Sequence, residues 1–307
     1  MARRRKPSPL SPRLGVDATR VVLRFDAETT LGHAVLSTPA ADGLTLDDLA
    51  ARADAGELVD VDGRRVDPGE PSTANRAIYF YRDLPHEVEI PFDLEILHSD
   101  ADLIVVDKPH FLATMPRGRH VTQTALVRLR RHFGNDEIAP AHRLDRLTAG
   151  VLLFTVRPQV RAAYQELFAA RSARKTYLAR AHADEALRTP RRVENRIRKD
   201  AGDLRARVES GPVNAISDVE LIGDAGGDGL YRLTPHTGRT HQLRLHMAGL
   251  GLPIVGDPLY PDVRQELAEL PDRGDFTQPL RLLAATLEFD DPLTGVPRRF
   301  ESRRGLE

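Results

Sequence analysis

The spacing of apolar residues beyond about residue 92 constrains the fold of this 307-residue chain more than any other feature. Residues 103–108, 151–156 and 176–183 have the length and composition of strands. Helical patterns at residues 122–134 and 158–168 lie between them. Because strands and helices are interspersed with hairpins and do not alternate regularly, we predict an α+β fold and not a doubly wound sheet.

Local signals predict where several elements begin and end. Thr122 is expected to cap the first of these helices, Gly134 to end it, and Pro158 to open the second. Residues 216–234 are typical of a hairpin with a loose glycine-rich loop at residues 223–229. That loop lacks the Gly-Lys-Ser/Thr ending of a P-loop, so we interpret it as a turn and not as a phosphate cradle.

The chain divides into unequal parts in its composition. Residues 1–12 are basic and rich in proline, and we predict that they are disordered. Residues 13–91 are acidic and suggest a small module, with a helix capped by Thr45 and a hairpin at residues 58–66. The module is weakly similar to S4-like RNA-binding modules, although a purely structural appendage is an equally open reading. Residues 92–307 form the larger domain.

The absence of cysteine excludes a disulfide framework, a thiolate metal site and a cysteine nucleophile. It is consistent with a reducing environment, so we expect a cytoplasmic protein. No apolar stretch is long enough to span a bilayer, and no membrane association is expected.

Charge is unevenly distributed along the chain, although the formal net charge is -1. Residues 101–200 hold 20 basic and 10 acidic side chains, whereas both flanking segments are acidic. Such an excess, mostly arginine, is expected where phosphates bind, because neutralised phosphates release condensed counterions. Solvated helix faces would explain the charge equally well.

Two polar clusters carry the candidate chemistry. The first is His142-Arg143-Leu144-Asp145-Arg146-Leu147-Thr148-Ala149-Gly150, where flanking arginines should keep Asp145 ionised. A structural network of arginine and aspartate in a turn remains an alternative. The second cluster, residues 238–246, predicts a helix starting near Thr240, with Arg244 on the same side as Thr240 and His241.

A metal site is not expected in the second cluster. The histidines in and beside this cluster, His236, His241 and His246, are spaced five residues apart, which rotates each by about 140° from the last on a helix. The cysteine ligands of nucleobase deaminases are also absent.

Five motifs occur in order along the larger domain: Asp107-Lys108-Pro109, His142 to Gly150, Lys175-Thr176-Tyr177, Gly238-Arg239-Thr240-His241-Gln242-Leu243-Arg244-Leu245-His246, and Gly256-Asp257-Pro258-Leu259-Tyr260. In these motifs the sequence resembles the RluA-type pseudouridine synthases of ribosomal and transfer RNA. The resemblance runs from about residue 92 to the end. Ala149, where the family usually has serine, is a departure.

The resemblance implies a pseudouridine synthase catalytic fold, with a mixed, largely antiparallel sheet flanked by helices, after a small N-terminal α/β module. It implies isomerisation of uridine to pseudouridine in structured rRNA or tRNA by a monomer that needs no metal, nucleotide or other cofactor. Asp145 would be the catalytic carboxylate, Tyr177 the platform stacked on the base, and Arg244 the partner of the carboxylate. The candidate substrate-binding residues are Arg143, which would fill the gap left by the flipped base, Arg146, Thr148, Arg239, Thr240, His241 and Gln242.

The residues leave the mechanism open. Asp145 could attack the ribose as a nucleophile or remove the 2′ proton, and the Tyr177 hydroxyl could help remove the C5 proton. A glycosidase-like hydrolase would need a second acid such as Asp257. An RNA-binding protein without catalytic activity would need only the basic segment.

Overall fold

The computed structural model describes residues 8–23, 29–73, 75–84, 86–118 and 120–306. The chain divides into two compact units between His86 and Glu87, a few residues before the boundary expected from the sequence. Of the arm predicted to be disordered, residues 1–7 lie outside the described residues and residues 8–12 lie within them. In this second stretch the Ser11 carbonyl accepts a hydrogen bond of 2.7 Å from the Tyr81 hydroxyl.

The described part of the N-terminal unit packs two helices and a three-stranded antiparallel sheet around one core. Its elements are β1 (Thr19–Leu23), α1 (Leu31–Leu36), α2 (Leu46–Asp54), β2 (Leu58–Asp60) and β3 (Arg76–Phe80), with a 3-10 turn at Pro39–Ala41, and the strand order is β1-β3-β2. The predicted cap of α2 is confirmed, because Thr45 and Asp48 bond reciprocally in a capping box. The predicted hairpin is only partly formed: Asp60 bonds to Arg64 across the turn, but β2 pairs with β3.

The C-terminal unit contains eleven strands in one sheet and four helices within the described residues. Its elements are β4 (Glu95–Ser99), β5 (Leu103–Lys108), α3 (Ala125–Phe133), β6 (Ala139–Pro140), β7 (Ala149–Thr155), α4 (Pro158–Ala169), β8 (Arg174–His182), β9 (Arg191–Arg198), β10 (Arg207–Glu209), β11 (Ala215–Ala225), β12 (Asp228–Pro235), α5 (Gln242–Gly249), α6 (Gln265–Glu269), β13 (Leu282–Asp290) and β14 (Pro297–Glu301). Further 3-10 turns occur at Glu185–Arg188 and Leu270–Arg273.

The strand order is β10-β9-β11-β12-β8-β13-β7-β5-β4, with β14 on β13 and β6 on β7. Among the described strands β7 and β13 pair in parallel, and the other pairs are antiparallel. The α+β class and the mixed, largely antiparallel sheet expected from the sequence are therefore confirmed.

The centre of the sheet is covered on both faces. Every residue of β5 and of β7 is buried, which explains why both strands are nearly continuous apolar runs. On one face Leu126 and Leu129 of α3 pack against these strands, and on the other face Val160 and Tyr164 of α4 do so. The prediction of a helix opened by Pro158 is confirmed.

The start of α3 differs from the prediction. Thr124, and not Thr122, caps the helix by accepting a hydrogen bond from the Val127 amide, while Gly134 ends it as expected. The Thr122 hydroxyl instead donates to Glu87. The predicted cap, Thr122, therefore binds the carboxylate of Glu87, a residue distant in the sequence, and does not cap the helix.

The arginines of α3 are tied to the protein itself. Arg128 donates to the carbonyls of Ile90 and Phe92, and the Nε of Arg130, a buried residue, donates to the Ile138 carbonyl. Part of the basic excess in the middle of the chain thus serves packing, because guanidinium groups satisfy carbonyls that the loops leave unpaired.

The glycine-rich segment forms a tighter hairpin than expected. Strands β11 and β12 stay paired up to Ala225 and Asp228, so the loop shrinks to Gly226 and Gly227. Both glycines have positive φ, the conformation that a two-residue turn requires. The prediction of a loose loop at residues 223–229 was wrong, although its interpretation as a turn is correct.

Strands β7 and β13 approach so closely at Gly150 that no side chain fits there. Gly150 has φ +111°, and an added Cβ would lie 2.2 Å from the Ala284 carbonyl oxygen. We expect Gly150→Ala to lower the free energy of unfolding by roughly 3 kcal/mol or more, measured by urea denaturation. Gly249→Ala is the control and should change stability little, because no atom of the described residues outside its own helix lies within 4 Å of the added Cβ. Equal effects of the two variants would contradict this account.

Candidate active site

Asp145 lies in the loop between β6 and β7, and buried groups hold that loop. The Thr114 hydroxyl donates to the Leu144 carbonyl at 2.8 Å and accepts from the Leu144 amide at 3.1 Å. The Thr148 amide closes a turn on the Asp145 carbonyl at 3.1 Å. Since these bonds involve main-chain atoms, the Asp145 side chain remains 26% exposed and accessible.

Lys108 and His110, which follow β5, support the same loop. The fully buried Lys108 ammonium donates to the carbonyls of Pro109, Leu112 and Arg146. The Nδ1 of His110 donates to the Leu147 carbonyl at 2.8 Å. Burial lowers the pKa of Lys108 to about 7, although the charge of Asp145 favours the protonated form. The Asp107-Lys108-Pro109 motif marked this position in the sequence, but the motif did not reveal its role.

A cavity of about 140 Å³ opens beside Asp145. It brings together most of the site residues predicted from the sequence. Those that line it are Arg143, Asp145, Thr148, Tyr177, Arg239, Thr240, His241, Gln242 and Arg244. Arg146 is not among the lining residues, and its guanidinium lies 3.6 Å from Asp272. Lys175 and Thr237 also line the cavity, and sequence reasoning had assigned them no role.

Tyr177 lies in the middle of the sheet, on β8, where its backbone pairs with Leu233 and Ala284. Its ring packs against two clusters of buried apolar side chains in the C-terminal unit. Burial, together with the charge of Asp145, raises the pKa of the Tyr177 hydroxyl. Because its pKa is raised, the phenol is protonated at neutral pH. Within the described ranges its hydroxyl has no hydrogen-bond partner, so it is available to a ligand.

His241 lies 4.0 Å from Asp145, measured from its Nε2 to the nearer carboxylate oxygen. Its backbone is left-handed, with φ 58°, and its Nδ1 bonds to the Tyr260 hydroxyl at 2.9 Å. Burial lowers the pKa of His241 to about 4. The imidazole is therefore neutral near pH 7 and is fixed by Tyr260.

Arg244 does not pair with Asp145, contrary to the sequence-based expectation. Its Nε and Nη2 donate to the two carboxylate oxygens of Asp257, at 2.7 and 2.6 Å, and both side chains are almost completely buried. Asp257 lies in the segment that follows α5, and that segment brings its carboxylate within hydrogen-bond distance of Arg244. Asp145 still favours the charge of Arg244 through space.

The amide of Gln242 is committed to the protein. It accepts from the Thr237 hydroxyl and the Arg239 amide, and it donates to the Ile216 carbonyl and the Ser217 hydroxyl. Gln242 is buried as well, so it orders the wall of the cavity and does not present a free group to a substrate.

The three histidines considered as metal ligands have separate partners. His236 bonds to Asp218, His241 to Tyr260 and His246 to Asn195. In the part of the chain that the structure describes, no group of three or more histidine or acidic side chains could hold a metal ion.

Four histidines of the C-terminal unit are buried in the neutral form. Burial lowers the pKa of His110, His241 and His246 to about 4 and that of His142 to about 3. In the unfolded chain a histidine takes up its proton near pH 6.5, so the unfolded state binds more protons between these values. We expect the free energy of unfolding to fall as pH drops from about 6.5 towards 4, with a limiting slope of at most about 1.4 kcal/mol per pH unit for each histidine.

Urea denaturation at a series of pH values would measure this slope. The variant His142→Gln, which lacks one titrating group, should show a shallower dependence. A flat profile of the parent protein below pH 6.5 would contradict the prediction.

Comparisons with known proteins match this geometry to a family. The sequence model of the RNA pseudouridylate synthase family matches residues 102–249, which include both loops around the cavity. The tRNA pseudouridine synthase C of Pasteurella multocida is 36% identical over 218 residues, covering 66% of this chain and 87% of that protein. The dual-specificity RNA pseudouridine synthase RluA of Haemophilus influenzae is 30% identical over 219 residues, covering 68% and 93%. The chain belongs to the RluA-type RNA pseudouridine synthases.

The fold of the synthase agrees with this assignment. The solved structure of human RNA pseudouridylate synthase domain containing 1 superimposes with a TM-score of 0.55 at 22% identity, covering 69% of this chain and 84% of that one. As a member of this sequence family, the synthase is an isomerase that acts on uridine in RNA. Among the described residues of the synthase, no helix has the length and apolar character needed to cross a membrane.

Proposed function

We propose that the synthase modifies uridine in structured rRNA or tRNA, with Asp145 as its catalytic carboxylate. The observation that carries the proposal is that Asp145 and Tyr177 line one small cavity, with the carboxylate partly exposed in it. One relative is named for tRNA and another for dual specificity, which favours these two classes of RNA. The reaction has no net redox change, so it needs no redox cofactor, and we propose that the side chains of the cavity suffice.

The reaction breaks the bond from N1 to C1′ and forms one from C5 to C1′, while the C5 proton is lost and N1 gains a proton. Asp145 as a nucleophile would form an ester at C1′ and release uracil as an anion, which then rotates and attacks C1′ through C5. As a base it would remove the 2′ proton and later return it. Both routes need an ionised carboxylate held beside the ribose, and both remain open.

The uridine must leave its stack to reach Asp145. Tyr177 can stack on the flipped base, a contact worth roughly 1–3 kcal/mol. Arg143 is exposed at the rim of the cavity, and its side chain has no partner within the described ranges. We propose that Arg143 fills the space left in the RNA.

The Tyr177 hydroxyl is proposed to relay the C5 proton. Because its pKa is raised, it can accept that proton only while passing its own to a neighbour such as Asp145. We expect Tyr177→Phe to slow turnover roughly 10²–10⁴-fold while the ring still supports binding. Single-turnover rates and RNA affinity would be measured together, and unchanged turnover with retained binding would refute the relay.

The hydrolase alternative finds no support in the geometry. Asp257, the second acid that it requires, is 1% exposed and bonded to Arg244 and to the amides of Leu259 and Tyr260. A binding protein without activity remains the second candidate, since the basic segment alone would suffice for it.

Tritium release tests the proposal. Bulk tRNA and large-subunit rRNA, each carrying tritium at uridine C5, would be incubated separately with the purified protein. We expect release to water from at least one of them, without free uracil. Tight binding with no release from either RNA would favour the binding protein, and free uracil would indicate a hydrolase.

The remaining expectations from sequence are also proposals. The absence of cysteine supports a cytoplasmic location. The arrangement of α1, α2 and the sheet β1-β3-β2 is compatible with an S4-like module that binds RNA. We propose that the synthase acts as a monomer, which sedimentation of the full chain would test.

A further inference from the structure

A groove of about 940 Å³ lies next to the cavity at Asp145. The end of α4, the start of β8, the segment after β12, and the hairpin of β13 and β14 form its walls. Six basic side chains line it, Arg171, Arg174, Lys175, Arg239, Arg298 and Arg299, against two acidic ones, Glu288 and Asp290. Arg298 pairs with Asp100 and Asp291, and Arg299 pairs with Glu288 and Glu301. Within the described ranges, the positive charge of the groove without a carboxylate partner therefore lies on Arg171, Lys175 and Arg239.

The groove continues directly from the cavity. Lys175 and Arg239 line both, as do Thr237 and Gly238. A strand that places one nucleotide in the cavity must lead its backbone out along a neighbouring wall. The groove provides such a wall, and the wall is basic.

Lys175 is partly buried, and the described residues provide no carboxylate to balance its charge. Burial lowers the pKa of its ammonium, and within the described ranges no carboxylate lies at ion-pair distance from it. A desolvated ammonium without a counter-charge is unfavourable. An anion bound where the cavity meets the groove would supply that charge.

Arg171 is a second unexplained residue of the groove. It follows α4 in the left-handed conformation, with φ 60°, a position where glycine is usually found. Its side chain is exposed and forms no hydrogen bond or ion pair in the part of the chain that the structure describes. An arginine at this position is strained, and its exposed side chain makes no packing contact among the described residues that would explain why glycine is not found there. We infer that the guanidinium group has a role in binding.

We propose that this groove, here called the phosphate groove, binds the ribose-phosphate backbone of the RNA strand that carries the target uridine. Lys175 and Arg239 would hold phosphates beside the flipped nucleotide, and Arg171 and Arg174 phosphates further along. The proposal deepens the proposed function and rests on it. Arg174, which is largely exposed, lies 3.7 Å from Glu288, and Glu288 also pairs with Arg299, so a phosphate can displace the carboxylate from Arg174 at little cost.

Binding would be measured in the Asp145→Asn background, so that no reaction occurs. The probe is a short fluorescein-labelled oligouridylate, titrated at several salt concentrations. We expect Arg171→Ala with Arg174→Ala to weaken binding about tenfold near physiological salt and to reduce the salt slope by about 0.7 for each lost phosphate contact. The control pair is Arg188→Ala with Arg232→Ala, two exposed arginines outside the groove that pair with Glu185 and Glu220.

Arg171→Gly separates binding from folding. Glycine adopts positive φ without strain, so this variant should not lower the melting temperature, yet it should weaken oligouridylate binding as much as Arg171→Ala does. Full oligouridylate binding by Arg171→Gly would overturn the role assigned to Arg171.

Two outcomes would overturn the proposal. One is that the groove pair and the control pair change affinity and salt slope equally. The other is that an oligoglutamate peptide binds as tightly as oligouridylate with the same dependence on the groove, which would indicate an acidic protein partner. Tritium release by the unmodified enzyme, measured separately, distinguishes failure of the groove from failure of the proposed function.

Discussion

Asp145→Asn is expected to reduce tritium release by about four orders of magnitude or more while RNA binding is retained. Asparagine is close to aspartate in size but can neither attack C1′ as an anion nor take a proton. The loop should keep its shape, because Thr114 and Thr148 hold it through main-chain atoms. The loss should therefore be chemical and not structural.

The matched control is Asp203→Asn, which changes an exposed aspartate that pairs with Arg207 away from the cavity. Its release rate and melting temperature should match those of the parent protein. If Asp145→Asn retained more than a small fraction of the rate in single-turnover measurements, Asp145 could not be the catalytic carboxylate. A large fall in its melting temperature would instead mean that the loop depends on the carboxylate itself.

Arg244→Met is expected to cause the largest loss of stability, about 3–5 kcal/mol. The substitution removes both charged donors from Asp257 and leaves a buried carboxylate bonded only to the amides of Leu259 and Tyr260. For a unit of this size we expect the melting temperature to fall by about 10 °C. Urea denaturation and thermal melting would measure the change.

The double variant Arg244→Met with Asp257→Asn tests the cause. Asparagine keeps an oxygen for the two amides but removes the unpaired charge, so the double variant should be more stable than Arg244→Met alone. A double variant that is less stable would show that packing of the arginine, and not its pairing with Asp257, accounts for the loss.

Much of the architecture was predictable because its causes are local. Thr45 caps α2, Gly134 ends α3 and Pro158 opens α4 through contacts within one helical turn, and those contacts depend only on neighbouring residues. The runs in β5 and β7 are apolar throughout because both faces are covered, and a run of that kind is visible in the sequence. The ordered motifs likewise identified the family.

The errors arose where a residue had two possible partners. Thr122 had the chemistry of a cap, but Glu87 bonds to it, and Thr124 caps the helix instead. The basic excess of residues 101–200 suggested phosphate binding, yet two of its arginines, Arg128 and Arg130, bind carbonyls of neighbouring loops. Spacing along one helix could not reveal these partners, because they lie on other segments.

The sequence by itself determined the α+β class, the family, and most of the residues that line the cavity at Asp145, although not Lys175 or Thr237. Only the tertiary structure decided that Arg244 pairs with Asp257, that Lys108 and Thr114 hold the loop of Asp145, and that a basic groove adjoins the cavity. Secondary structure follows from hydrogen bonds and periodicity over a few residues. The pairing of buried charges depends on distances and desolvation between segments far apart in the chain, and these are set only when the sheet has assembled.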